Sequence, residues 1–131
     1  MPSQRWQWVA LNVAYAVHDR QLAEHGGLDG VRDQGAVESA LARPQNLASY
    51  GNADAPALAA CYAHGFARNH GFADGNKRIA WVLGRLFLAD NGFQLNFDQI
   101  EAVKTMEEVA AGSLAEHHLA AWFRERLKST D

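Results

Sequence analysis

The residues best suited to chemistry stand within nine positions, His70-Gly71-Phe72-Ala73-Asp74-Gly75-Asn76-Lys77-Arg78. The chemistry they suit is phosphoryl or nucleotidyl transfer, in which positioning and charge neutralisation supply most of the catalysis. Gly75 precedes a run with strongly apolar helical spacing. The free N–H groups of a helix start, at the positive end of its dipole, form an anion site. Lys77 and Arg78 fall in the first turn of that helix, where a cation is disfavoured by about 0.3–1 kcal/mol. A bound phosphate reverses that balance. Asp74 faces the same place, and a carboxylate beside phosphates is a natural magnesium ligand. His70, one loop upstream, can accept a proton from an attacking hydroxyl. Phe72 is expected to point inward and anchor the loop.

Each of these residues also has a structural reading. Asp-Gly-Asn is an ordinary turn, Asp74 can cap a helix, and a His at a helix C-terminus favours the dipole there. Their joint occurrence at one helix start is what points to chemistry. There is no Walker A sequence and no protein-kinase glycine loop, so the common nucleotide folds do not apply.

The elements that must position this loop read as helices, and no run alternates convincingly with period two. A first helix is expected from Arg5 to Glu24 with Trp6, Val9, Val13, Ala16, Val17 and Arg20 on one stripe, closed by Gly26-Gly27. A turn-rich stretch leads to a short helix over Ala36–Ala42, which Pro44 should stop. Residues 44–55 then read as a loop or irregular flap. A third helix starts at Pro56 and runs into His70, with Leu58, Cys61, Tyr62 and Phe66 inward. A fourth covers Asn76–Asp90. Asp98 with Glu101, and Ser113 with Glu116, have the spacing of capping boxes that open two more. The expected fold class is all-α: one compact domain over residues 1–131, with about six helices and a short flap loop.

Composition agrees with a folded domain. Of 131 residues, 48% are hydrophobic and 21% charged, which excludes disorder and collagen. Twelve basic residues against fifteen acidic ones give a net charge of −3, which argues against direct nucleic-acid binding. The lone Cys61 excludes a disulfide framework, and no segment has the length of a membrane span or a signal core. A cytoplasmic protein is expected. The six histidines, His18, His25, His64, His70, His117 and His118, do not have the spacing of a metal site; His64 and His70 are about 600° apart on one helix. Cys61 and the four tryptophans are expected to be packing residues.

HGFADGNKR resembles the core motif of the Fic/Doc superfamily, H-x-F-x-[D/E]-G-N-[G/K]-R, and the chain resembles its Doc (death-on-curing) branch from His18 to Gly51 and from Leu86 to Phe93. Lys77, where Fic-type AMP transferases have a small glycine, and Trp81, where they have a second arginine, both resemble Doc. That resemblance implies the toxin of a type II toxin–antitoxin system. It implies a kinase that moves the γ-phosphate of ATP to a threonine of translation elongation factor Tu, with Mg2+, arresting translation. It further implies His70 as general base, Asp74 as magnesium ligand, and Gly75, Asn76, Lys77 and Arg78 around the phosphates. Residues Arg43, Pro44, Gln45, Asn46, Leu47, Ala48, Ser49 and Tyr50 would form a flap that aligns the substrate. The implied partner is a Phd-like antitoxin whose disordered tail folds on the toxin. The alternatives are AMP transfer to a protein hydroxyl, or a weakly active binding module kept for antitoxin pairing and operator control. Two departures from the family pattern are Ile79, where threonine is common, and Gly71, where proline is common; the second implies a looser loop. The inhibitory pattern [S/T]-x-x-x-E-[G/N] of many Fic proteins is absent.

Overall fold

A computed structural model describes residues 5–130; the N-terminal reading over 1–4 lies outside the described residues. Six helices follow in order: α1 Leu11–His25, α2 Gln34–Ser49, α3 Ala55–Asn69, α4 Asn76–Asp90, α5 Gln99–Ala111 and α6 Glu116–Arg126. Two short strands, β1 Phe93–Leu95 and β2 Leu127–Ser129, pair antiparallel with Gln94 opposite Lys128. The all-α expectation holds, and this small ribbon is the addition. Each strand is three residues long, too short for its period to be legible alone.

Helix α3 is the axis of the fold. It packs against α2, α4, α5 and α6, and most of its residues are buried. Asp54 caps it through Ala57 N–H at 3.0 Å, with Pro56 in the first turn where its missing N–H costs nothing. Gly84 lets α4 approach: a Cβ there would stand 3.3 Å from the Ala59 carbonyl oxygen and 3.4 Å from Ala63 Cβ. Tyr62, Phe66, Ile79, Leu83, Phe87, Leu119 and Phe123 fill the space between these helices. Each large side chain so buried contributes roughly 1.5–3 kcal/mol.

Three local expectations are corrected. Helix α1 begins at Leu11 rather than Arg5, because residues 5–10 run extended and find other partners. Gln7 exchanges two hydrogen bonds with the Asn91 side chain (2.9 and 3.1 Å), and Val9 N–H donates to the Tyr62 hydroxyl. Trp6 and Trp8 both rest on Phe87. The inward face of α1 is accordingly Ala14 and His18, while Val13 is exposed. Second, Pro44 lies inside α2, which continues to Ser49. An interior proline costs about 3 kcal/mol. Here Val37, Ala40, Leu41 and Pro44 itself are buried against α3, and that burial offsets the cost. The expected flap is therefore helix, apart from Tyr50 at its end. Third, Ser113 does not open α6. Its hydroxyl donates to the Glu108 carbonyl, and α6 starts behind Ala115.

Asp54 ties the start of α3 to α6, accepting two 2.8 Å hydrogen bonds from Arg124. The Arg124 guanidinium holds its carboxyl below the usual aspartate range. A carboxyl depressed in the folded state stabilises above its unfolded pKa, and that stability is lost as pH falls through the folded value. Asp54→Asn should therefore lower the melting temperature at pH 7, by an amount that shrinks as the pH is taken down through the acid range. A constant difference across thermal melts at several pH values would contradict this assignment.

Candidate nucleotide site

The motif loop joins the C-terminus of α3 to the N-terminus of α4, and both ends have left-handed backbone. His70 has φ 53 and ψ 43, the one non-glycine residue with positive φ among the described residues. Gly75, at φ 77, is the residue before α4. Such a backbone costs an L side chain about 1–2 kcal/mol, so glycine is the suitable residue there. No side chain caps α4, so the first-turn amides at its positive end lack a side-chain acceptor.

Between these ends the loop is held at many points. Phe72 is buried, with its ring stacked on His18 at 3.9 Å between centroids and edge-on to Tyr15 at 6.1 Å. Asn76 folds back on the same residue: its Oδ1 accepts from Phe72 N–H at 3.1 Å and its Nδ2 donates to the Phe72 carbonyl at 3.0 Å. Asn76 thus clamps the backbone of the loop. Residues 26–33, an irregular stretch with positive φ at Gly26, Gly27 and Gly30, lie alongside. Val31 forms a bridge with Phe72, Arg32 and Asp33 N–H donate to the Gly71 carbonyl, and Ala73 N–H donates to Gly30.

These bonds overturn the expectation that Gly71 loosens the loop. A Cβ at Gly71 would stand 2.6 Å from Val37 Cγ2, and its N–H donates to Asn69 Oδ1 at 3.2 Å. Glycine there allows close packing, and the loop is pinned. Ile79, the other departure, is buried in the core.

His18 is the functional position that the sequence reading missed. It is only 2% exposed, and its Nε2 lies 2.8 Å from the Asp74 carbonyl oxygen. A carbonyl only accepts, so Nε2 carries the proton and donates. The signal available in the sequence was its position four after Ala14 on one face; the chosen stripe put the face elsewhere.

The Asp74 carboxylate accepts from Gly75 N–H at 2.8 Å and from Leu28 N–H at 3.1 Å. Those two backbone bonds, Leu28 first, hold its carboxyl below the usual range. It is an anion with lone pairs to spare. No group of three or more potential metal ligands occurs among the described residues. This still fits magnesium carried in with a nucleotide, which takes one or two carboxylates plus phosphate oxygens.

His70, Asp74, Gly75, Asn76, Lys77 and Arg78 all line one cavity of about 970 Å³, bounded on its far side by α5. The fold brings these six sequence-selected residues together. It leaves out the expected flap. Gln45, Ala48 and Ser49 border a separate cleft with Trp6 and Trp8, and Arg43 pairs with Glu116 at 2.6 Å. The backbone beside the site is that of residues 26–33 instead. Cys61 is no nucleophile here, since burial pushes its thiol up to about 11.

The class of protein defined here is a small helical bundle that gathers a basic, uncapped helix start and a histidine on one cavity. The comparisons make the class particular. The family model described as Fic/DOC family matches residues 8–88, and the chain belongs to that family. It is 46% identical over 90 residues to "Toxin Doc" of Mycolicibacterium smegmatis, covering 65% of this chain and 68% of that protein. It is 33% identical over 117 residues to "Protein kinase doc" of Escherichia phage P1, covering 88% and 92%.

Proposed function

We propose that this protein is the toxin of a toxin–antitoxin pair and acts as an ATP-dependent protein kinase. The observation that carries the reading is the convergence of His70, Asp74, Lys77, Arg78 and the uncapped start of α4 on one cavity. The names of the two relatives, a toxin and a protein kinase, support it.

The proposed steps use these residues in turn. The triphosphate lies against the first-turn amides of α4, with Lys77 and Arg78 neutralising its charge. His70 accepts the proton of a threonine hydroxyl as that oxygen bonds to the γ-phosphorus. The bond from the γ-phosphorus to the β–γ bridging oxygen breaks, and ADP leaves. Asp74 would hold magnesium, which would supply neutralisation of the charge on the nucleotide. His18, Phe72 and Asn76 keep the loop from moving while this happens. The exposed residues 26–33, with Leu28 and Val31 facing solvent, offer backbone beside the loop against which a substrate peptide can align. The substrate proposed is elongation factor Tu, and the inhibitor a Phd-like antitoxin with a tail that folds on binding. The proposed location is the cytoplasm; no helix among the described residues is long and apolar enough to cross a membrane.

The test is intact-mass spectrometry of elongation factor Tu after incubation with this protein, ATP and magnesium. A phosphate-sized gain on one threonine is expected. An AMP-sized gain would replace the kinase by a nucleotidyl transferase, and no gain would remove this substrate.

A further inference from the structure

The cavity continues well past the motif. Along α4 it is lined by Lys77, Arg78, Trp81, Val82 and Arg85, and α5 forms its opposite wall. From Arg78 to Arg85 is seven residues, about 10 Å along the helix at 1.5 Å per residue. Arg85 therefore lies beyond the reach of a phosphate held at the α4 start. Its guanidinium carbon sits 5.4 Å from the Trp81 ring centroid and 5.0 Å from that of Phe97, whose rings meet edge to face. No carboxylate pairs with it among the described residues. A planar cation seated on two rings is weakly hydrated and already ordered. Val82, Val103 and Met106 make the neighbouring wall apolar.

We infer that Trp81, Arg85 and Phe97 form a nucleobase subsite, which rests on the nucleotide reading above and extends it. A nucleotide with its phosphates at Gly75–Arg78 directs its other end along α4 to this wall. There the base finds an aromatic edge, an apolar floor and the flat face of Arg85 on which to stack. The subsite discriminates a nucleoside triphosphate from a bare polyphosphate. This assigns Arg85 and Trp81 to ligand recognition, where the sequence reading had Trp81 as packing and left Arg85 without a role.

Calorimetric titration of the full chain with ATP and, separately, with inorganic tripolyphosphate tests this. Arg85→Ala should weaken ATP binding roughly tenfold and leave tripolyphosphate affinity unchanged. Arg85→Lys keeps the charge and loses the plane, so it should also weaken ATP selectively. Equal weakening of both ligands would put Arg85 on the phosphates and overturn the subsite. ATP affinity unchanged in both variants would overturn it too, while the nucleotide reading stood. A wild-type chain that binds neither ligand would sink the nucleotide reading itself, and the subsite with it.

Discussion

Replacing His70 by asparagine should lower phosphoryl transfer by roughly 10²–10⁴-fold, the usual contribution of a positioned general base, with nucleotide binding and melting temperature close to wild type. Asparagine is the informative choice because position 70 has φ 53. His, Asn and Asp are several-fold enriched in the left-handed region, whereas alanine there adds strain. His70→Ala should thus lose activity and some stability together, and His70→Asn should lose activity alone. The exposed ring makes no hydrogen bond that the loop needs; Asn69, Phe72 and Asn76 carry that work. Full turnover by His70→Asn, followed as phosphate incorporated per unit time, would remove His70 as the base. Loss of cooperative melting instead would make it a structural residue.

Phe72→Ala is expected to produce the largest loss of stability from a change in the motif, about 3–5 kcal/mol for a buried aromatic truncated to alanine. For a domain of this size that is a fall of roughly 10–20 °C in melting temperature. Three things go together. The ring fills core space against Tyr15 and stacks on His18, and its backbone is the clamp point for Asn76. Without the stack, His18 is left as a buried polar ring bordering a cavity, and its bond to the Asp74 carbonyl loses its support. Activity at low temperature should fall as well, since Asp74 and Gly75 would no longer be held. A thermal melt shifted by only a few degrees would mean that Phe72 is not the anchor of the loop.

Much of the site was legible because its signals are local. Glycine at 75 marks a left-handed turn, the apolar spacing after it marks α4, and the cluster of His70, Asp74, Lys77 and Arg78 sits within nine residues. Pro56, and Asp98 with Glu101, announce the starts of α3 and α5 through signals one turn long. The six-helix count followed from the same short-range periodicity. What failed depended on partners far away in the chain. Residues 5–10 carry helical spacing, yet Asn91 and Tyr62 take up their backbone groups and keep them extended. Pro44 is a helix breaker by its own chemistry, and only burial against α3 keeps α2 intact through it.

The sequence by itself determined the helical class, the two helices that frame the loop and the identity of the charged groups at the α4 start. These rest on backbone sterics, capping and dipoles, which act within one or two turns. The tertiary structure decided which face of α1 turns inward and so made His18 a support of Asp74. It laid residues 26–33 beside the loop in place of the expected flap, and it brought Phe97 across to Arg85 and Trp81. Those relations join segments between 12 and 56 residues apart, and chain geometry over such distances is set by how whole helices pack, which no local pattern encodes.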